Sequence, residues 1–494
     1  MKTLKYCMYV ILFFIFVAPL DLLAQVKEIP VTSKSKEALD FFVKGRDKVE
    51  NLELPAASAL FDKAIQADPD FALAYLYRAQ SGGGYNVFRQ NLDKAVSLSA
   101  NVSEGEKMLI SFSQAQADGN GDKQKEIIGQ ILSTYPSDKR VQEISGEYYY
   151  GINDFTNALA HFNKATEIDK NFAPVYNMIG YCQSAQNNFP EAEKAFQTYI
   201  SLVPGNPNPY DSYAELLLKM GKYDESIAQY NKALEKDASF STSLAGIGNN
   251  YVFKGDFDQA RKYYQDYYDK SVTTPGKLDA VFLRAITYIH EGNTEQAEKT
   301  FDEYRALAEK ENLPTSTINS YAFQGFTATE GGKPAEGMKY FEKAEDLISK
   351  SNLTAAVKEN LNTRAMLWRF YSLTSSNDLD KAQAAYDQVK TRVESRNNPN
   401  EEMFLNTLLG LFEIKKGDYD KAVENLSKAD TQDPLTLYLT AVAYSKMGDK
   451  SNSEKLYDKV TKWNINSLNL AFVRNHAMEE LKSLQTESNP VSAQ

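Results

Sequence analysis

Apolar residues recur along this chain at the three- and four-residue steps of amphipathic helices, in helix-length blocks parted by short polar turns, and no stretch alternates as a strand would. Four columns of residues repeat with a step of 34. The first is Gly146, Gly180, Ala214, Gly248, and the second is Ala158, Ala192, Ser226, Ala260. An aromatic column, Phe162, Phe196, Tyr230, Tyr264, follows four residues after the second, and Ala165, Tyr199, Ala233, Tyr267 closes the pattern. A small residue facing an aromatic one across a helix-length gap predicts two antiparallel helices that nest closely and offer one face to the next pair. The punctuation agrees. Gly221, Gly255, Gly292, Gly417 and Gly448 fall between the two helices of a unit, where a left-handed residue ends a helix. Pro55, Pro190 and Pro334 fall in the first turn of a second helix, where the missing N–H costs nothing.

The register extends both ways. Upstream, Gly45, Ala57, Phe61 and Ala64 mark a unit from Ala38, and degenerate units follow from about Ala72 and about Gly105. Downstream the phase resumes after Thr273-Thr274-Pro275-Gly276 and continues in units from Ile318, Thr363, Met403 and Pro434. The period and its columns resemble the tetratricopeptide repeat family. The resemblance implies an all-α solenoid of about twelve helix-turn-helix units, laid out as N-terminal repeats over 38–138, four in-phase repeats over 139–274 and divergent repeats over 278–462. A helix over 465–484, its apolar core running from Leu468 to Leu484, is expected to cap the open end of the stack, with a polar, disordered tail over 485–494.

Charge and targeting set the compartment. Residues 1–24 read as a signal peptide, with Lys2 and Lys5 before an apolar run from Tyr6 to Leu20 and small Ala24 at its end, and residues 25–37 form a leader. Leu22 is larger than a cleavage site prefers, so a retained anchor is the alternative. Cys7 lies inside the apolar run and lacks a lipobox. The expected address is the periplasm or cell surface of a Gram-negative bacterium, with no stable membrane span after cleavage. Without Lys2, Lys5 and Asp21, 53 basic and 65 acidic side chains remain, a net of −12. Such a surface disfavours nucleic acid, whose phosphates need clustered Lys and Arg. Cys182 then stands alone, and a buried, unreactive thiol is expected.

No catalytic signature appears. His161, His290 and His476 sit in three different units, and solenoid repeats touch only their neighbours, so they are not expected to meet. Asp118-Gly119-Asn120-Gly121-Asp122 starts like a calcium loop, then fails at Lys123 and Gly129, and reads as a polar turn. There is no phosphate-binding loop, no Gly-x-Ser-x-Gly and no His-Glu-x-x-His. Repeats leave no room for a catalytic domain, so neither an enzyme nor a cofactor is expected.

In the family that this chain resembles, first helices line a concave groove through unit positions 2, 5, 9 and 12. In the in-phase repeats these are Arg140, Glu143, Glu147, Tyr150, Asn177, Tyr181, Asn208, Asp211, Glu215 and Asn249. The family's carboxylate clamp needs Lys, Asn and Arg there. The Lys and Arg are largely missing and carboxylates stand instead, which implies a basic or neutral protein or peptide segment, not an acidic tail. Later units place Phe282, Ile286, Ile289, Phe326, Leu367, Tyr371, Phe404, Leu411, Ile414, Tyr438 and Val442 at the same positions. Self-burial of that inner face is the preferred reading over an apolar peptide groove. The functional expectation is an extracytoplasmic interaction scaffold, with a solute- or glycan-binding envelope protein as the alternative.

Overall fold

The computed structural model describes residues 28–488, except Leu52 and Asn397. The expected signal peptide and the last six residues of the expected tail lie outside them. The described residues hold 25 α-helices, one short 3₁₀ turn and no strand. None of these helices is long and apolar enough to cross a membrane. The chain forms two compact units, the first ending at Gln186 and the second starting at Asn187.

The first unit contains α1 (Lys36–Glu50), α2 (Leu54–Ala67), α3 (Ala72–Gln80), α4 (Gly84–Leu98), α5 (Glu104–Ala117), α6 (Gly121–Thr134), α7 (Lys139–Gly151), α8 (Phe155–Ile168) and α9 (Ala173–Ala185). The second contains α10 (Phe189–Leu202), α11 (Asn208–Lys219), α12 (Tyr223–Lys236), α13 (Thr242–Lys254), α14 (Phe257–Lys270), α15 (Thr274–His290), α16 (Thr294–Lys310), α17 (Pro314–Glu330) and α18 (Pro334–Lys350). It continues with α19 (Ala355–Ser375), α20 (Leu379–Arg396), α21 (Pro399–Lys416), α22 (Tyr419–Leu426), α23 (Pro434–Lys446), α24 (Lys450–Thr461) and α25 (Leu468–Ser488). Each unit is an α-solenoid of antiparallel pairs.

One turn chemistry serves many pairs. Gly255 at φ 79° ends α13, letting the Asp256 N–H reach back to the Tyr251 carbonyl at 2.9 Å, and the Asp256 carboxylate then caps α14 by accepting from Gln259 N at 3.1 Å. Asn153, at φ 60°, plays the part of that glycine before Asp154 and α8.

The column spacing has a direct steric cause. Residues 16 apart in a pair face each other, and a Cβ on Gly146 would stand 2.5 Å from the Phe162 ring. The same Cβ on Gly248 would meet Tyr264 at 2.4 Å, and on Gly325 would meet Phe341 at 2.4 Å. Phe162, Tyr264 and Phe341 are all fully buried. The missing side chain is what lets each ring sit against the facing backbone.

The leader is not a passive connection. It runs extended across the starts of three first helices, and a carboxylate at each takes one of its donors. Lys34 N donates to Asp68 Oδ2 at 2.7 Å, Thr32 N to Glu106 Oε1 at 2.8 Å, and Ile29 N to Asp138 Oδ2 at 2.8 Å. Glu106 is fully buried and also takes Ser103 N at 2.9 Å and the Thr32 hydroxyl. Ile29 and Val31 turn their side chains into the core of this unit. Backbone donors to acids and alternate side chains inward give an extended segment a defined register.

The expected boundary of the last helix is corrected. α25 runs to Ser488, so residues 485–488 of the expected disordered tail are helical. It packs on α24 and α23, the last pair, and also reaches well beyond them. It crosses the inner side of the second unit and joins α23 and α24 to α15, packing Leu470, Val473 and Ala477 with Leu218, Phe253, Leu437 and Ala441. The segment after the last repeat reaches back to a distant one: His290 Nε2 lies 3.0 Å from Asn466 Oδ1, 176 positions along the chain. Self-burial of the apolar inner positions is what the structure has for Tyr438 and Val442, which pack in the cluster containing α25, but the cover is this helix and not tight winding.

Candidate functional site

The first helices α3, α5 and α7 stand side by side, so equal positions on them form rows. Position 5 gives Leu76, Leu109 and Glu143, and position 9 gives Gln80, Ser113 and Glu147. Together with α6 they line an open cleft of about 560 Å³, whose walls also carry Tyr77, Phe112, Gln116, Gln124 and Tyr148. Gln80 Nε2 donates to Ser113 Oγ at 3.2 Å, tying the position-9 row across two pairs.

Two of the cations beside this cleft, Arg140 and Lys139, are already matched. Arg140 donates to the Glu50 carboxylate through Nη2 at 2.5 Å and Nε at 2.9 Å. Lys139 pairs with Asp169 at 2.7 Å. Arg140 therefore lines the cleft as half of an internal ion pair, a correction to its expected role as a free contact. Glu143 and Glu147, one helical turn apart, make no hydrogen bond or ion pair among the described residues. Burial, then repulsion from Glu147 and Glu50, raises the Glu143 pKa well above the ordinary carboxylate value. Glu147 is exposed at the mouth, and desolvation by the walls around its carboxyl pushes it up to about 7. Arg46, whose Nε is buried without a partner among the described residues, lines an adjoining cavity of about 20 Å³ that shares Tyr77, Leu109, Arg140 and Ile144 with the cleft. Burial holds the Tyr77 hydroxyl neutral, with its pKa pushed up to about 12.

The other expected groove residues are not gathered into this cleft. Tyr150 is half-buried and packs on Phe155, with ring centres 5.6 Å apart. Asn177 and Tyr181 lie half-buried on α9, with the Asn177 Oδ1 enclosed and without a partner among the described residues. The remaining four belong to the second unit. Asn208 Oδ1 accepts from the Tyr199 hydroxyl at 3.2 Å. Asp211 is buried and accepts from Ser243 Oγ at 2.5 Å, which corrects its expected place as a groove contact. Burial and then Glu215 raise its pKa to about 7, while Glu215 itself is exposed. Asn249 is taken by the chain itself, its Oδ1 accepting from the Tyr264 hydroxyl at 2.7 Å and from Asn466 Nδ2 at 2.9 Å.

Sequence reasoning missed Tyr77, Gln80, Phe112, Ser113 and Gln116 because the groove positions were not transferred to the degenerate units from Ala72 and Gly105. Counting positions 5 and 9 from Ala72 and Gly105 finds the rows. Among the described residues no three His, Cys, Asp or Glu are grouped to hold a metal ion. His161 stacks on Tyr149 with ring centres 5.3 Å apart and bonds Gln142. Cys182 is buried, and burial pushes its thiol up to about 12.

Comparison with known proteins bears on the repeat unit. Tetratricopeptide repeat models match residues 245–312 and residues 208–239 and 405–434. The chain is 23% identical over 317 residues to the Protein CTR9 homolog of Arabidopsis thaliana, covering 62% of this chain and 27% of that one. It is 31% identical over 97 residues to Anaphase-promoting complex subunit 6 of the same plant, covering 20% of this chain and 18% of that one. The chain thus spans under a third of the length of either relative. A solved tetratricopeptide repeat protein from Parabacteroides merdae aligns at 15% identity with a TM-score of 0.36, over 58% of this chain and 99% of that one. Tetratricopeptide repeats are thus present in this chain, and its pairs form a solenoid of that type.

Proposed function

We propose that the protein is an interaction scaffold that holds a basic segment of a partner protein in the cleft of its first unit. The observation that carries this is the pair Glu143 and Glu147, which share an aromatic-walled cleft, repel one another and are only partly offset by Arg140 and Lys139, themselves already bonded to Glu50 and Asp169. A lysine or arginine side chain placed there relieves their mutual repulsion and can lie against Tyr77, Phe112 or Tyr148. The glutamines on the walls suit the backbone of a bound segment. The signal-like N-terminal sequence supports an extracytoplasmic setting for this work.

Fluorescence anisotropy with labelled basic and acidic nonapeptides of matched length tests the reading. Basic peptides should bind, should weaken with added salt, and should lose at least tenfold in affinity in a Glu143→Gln/Glu147→Gln variant. Affinity should rise from pH 5 to pH 8 as Glu147 ionises. Equal binding of acidic and basic peptides, or full affinity in the double variant, would sink the proposal. Three rings and three glutamine amides in one cleft also suit a glycan, and a thermal-shift series with oligosaccharides separates that second reading.

A further inference from the structure

We infer that the inner face of the second unit is itself a recognition groove, built for an asparagine-rich turn followed by an amphipathic helix and held in this state by the chain's own residues 462–488. The contacts on this segment are side-chain-specific. Asn464 Oδ1 accepts from the Tyr223 hydroxyl at 2.9 Å, Asn466 bonds Asn249, Tyr264 and His290, and Asn469 Nδ2 donates to Asp433 Oδ2 at 2.8 Å. Asn475 Nδ2 donates to the His290 carbonyl at 2.8 Å, and the Arg474 guanidinium sits 4.8 Å from the Phe253 ring centre. The receiving groups come from helices up to 241 residues upstream in the chain. Asn249 occupies position 9 of its pair, the same position that stands open to the cleft as Gln80, Ser113 and Glu147 in the first unit. Among the described residues this solenoid face is thus open in one unit and covered in the other.

The segment is attached in a way that permits exchange. Residues 462–467 form a non-helical hinge after α24. α25 forms a single layer whose outer side is in solvent, with Met478 52% exposed and His476 and Glu479 also on the outside. Every solenoid pair from α11 to α24 keeps its helical neighbours without it. A partner that offers the same pattern, amides on a turn and an apolar helix stripe, competes for the groove, as helix-in-groove recognition does elsewhere.

The test uses the whole chain with a protease site inserted between Thr461 and Lys462. After cutting, the 462–488 segment should stay bound at high protein concentration, leave on dilution, and leave behind a chain with the helical circular dichroism of an intact solenoid. A labelled synthetic 462–488 peptide should then bind the emptied chain, and the Asn466→Ala peptide should bind about tenfold more weakly, the loss of one to two buried amide hydrogen bonds. In the uncut chain, Asn466→Ala/Asn475→Ala should speed amide exchange in α25 at least tenfold and leave α13 and α15 unchanged. A cut segment that never dissociates, collapse of the solenoid when it leaves, or unchanged exchange in the double variant would each show α25 to be fixed core and overturn the inference.

Discussion

The packing column makes a prediction in which one substitution has opposite signs at two glycines. Gly129 lies in the middle of α6, exposed, with nothing within 4 Å of an added Cβ. Gly146 lies in α7, where that Cβ would stand 2.5, 2.6 and 2.8 Å from three atoms of the Phe162 ring. Alanine in place of glycine in a helix interior gains about 1 kcal/mol of backbone propensity at either site. At Gly129 nothing opposes the gain, so Gly129→Ala should stabilise by about 0.5–1 kcal/mol. At Gly146 the ring is fully buried and cannot retreat, so α7 and α8 must part by about 1 Å to restore contact distance. Overpacking of this kind costs about 1–3 kcal/mol, and Gly146→Ala should come out destabilising by about 1–2 kcal/mol. Urea unfolding followed by circular dichroism measures both, with hydrogen exchange in α7 and α8 as a local readout, because solenoids need not unfold in one step. Gly146→Ala/Phe162→Leu should recover about 1 kcal/mol relative to the sum of its single variants. If Gly146→Ala stabilises as much as Gly129→Ala, the i to i+16 contact is not what fixes the column, and the steric account of the period fails.

Three further outcomes follow from other sites. Glu106→Ala should free the leader and cost about 2–4 kcal/mol by orphaning the Thr32 and Ser103 N–H groups, seen as lost exchange protection at residues 29–34 with α8 unaffected. Asp211 has a folded pKa of about 7 against 3.8 for the free group, so its contribution to stability is present below pH 4 and is lost as pH rises through 7. Asp211→Asn keeps an acceptor for Ser243 and should raise the unfolding midpoint of the second unit at pH 8 by up to about 4 kcal/mol equivalent, with little gain at pH 4; equal gains at both pH values would show that burial of the charge is not the cause. Cys182 should resist iodoacetamide at pH 8 in the native protein and react fully in denaturant, since burial keeps the thiolate form scarce.

What the sequence made legible is whatever repeats. Gly146 and Phe162, or Gly248 and Tyr264, announce their contact because the same pair of residue types returns at a fixed step. The caps and turns are local, so Gly255-Asp256 and Asn153-Asp154 carry their own conformations. The cleft was half legible: Glu143 and Glu147 fell out of the register, while Gln80 and Ser113 were lost in degenerate repeats whose groove positions still hold. Contacts that break the period were invisible. Ile29 to Asp138 and Asn466 to Asn249 join residues with no shared spacing, and nothing local distinguishes a leader that is bonded along its backbone from one that is not. Asp211 shows a further limit, since groove position alone does not tell a solvated carboxylate from one sealed by the serine of the next pair. The density of asparagine over 464–475 was the available hint that the segment is recognised and not merely polar.

The helix that bridges α15 to α23 and α24 also orders events in time. A plain solenoid can consolidate pair by pair as it leaves the ribosome or a translocation pore, since each pair needs only its neighbour. Here Tyr223, Asn249 and His290 wait for partners that lie after all of α24 in the chain. Their contacts therefore form last and at large sequence separation, a slow closing step added to an otherwise local folding route. Until that step, the inner face of the second unit is open water-facing surface, and the nascent chain passes through a stage in which it is most receptive to whatever else fits there.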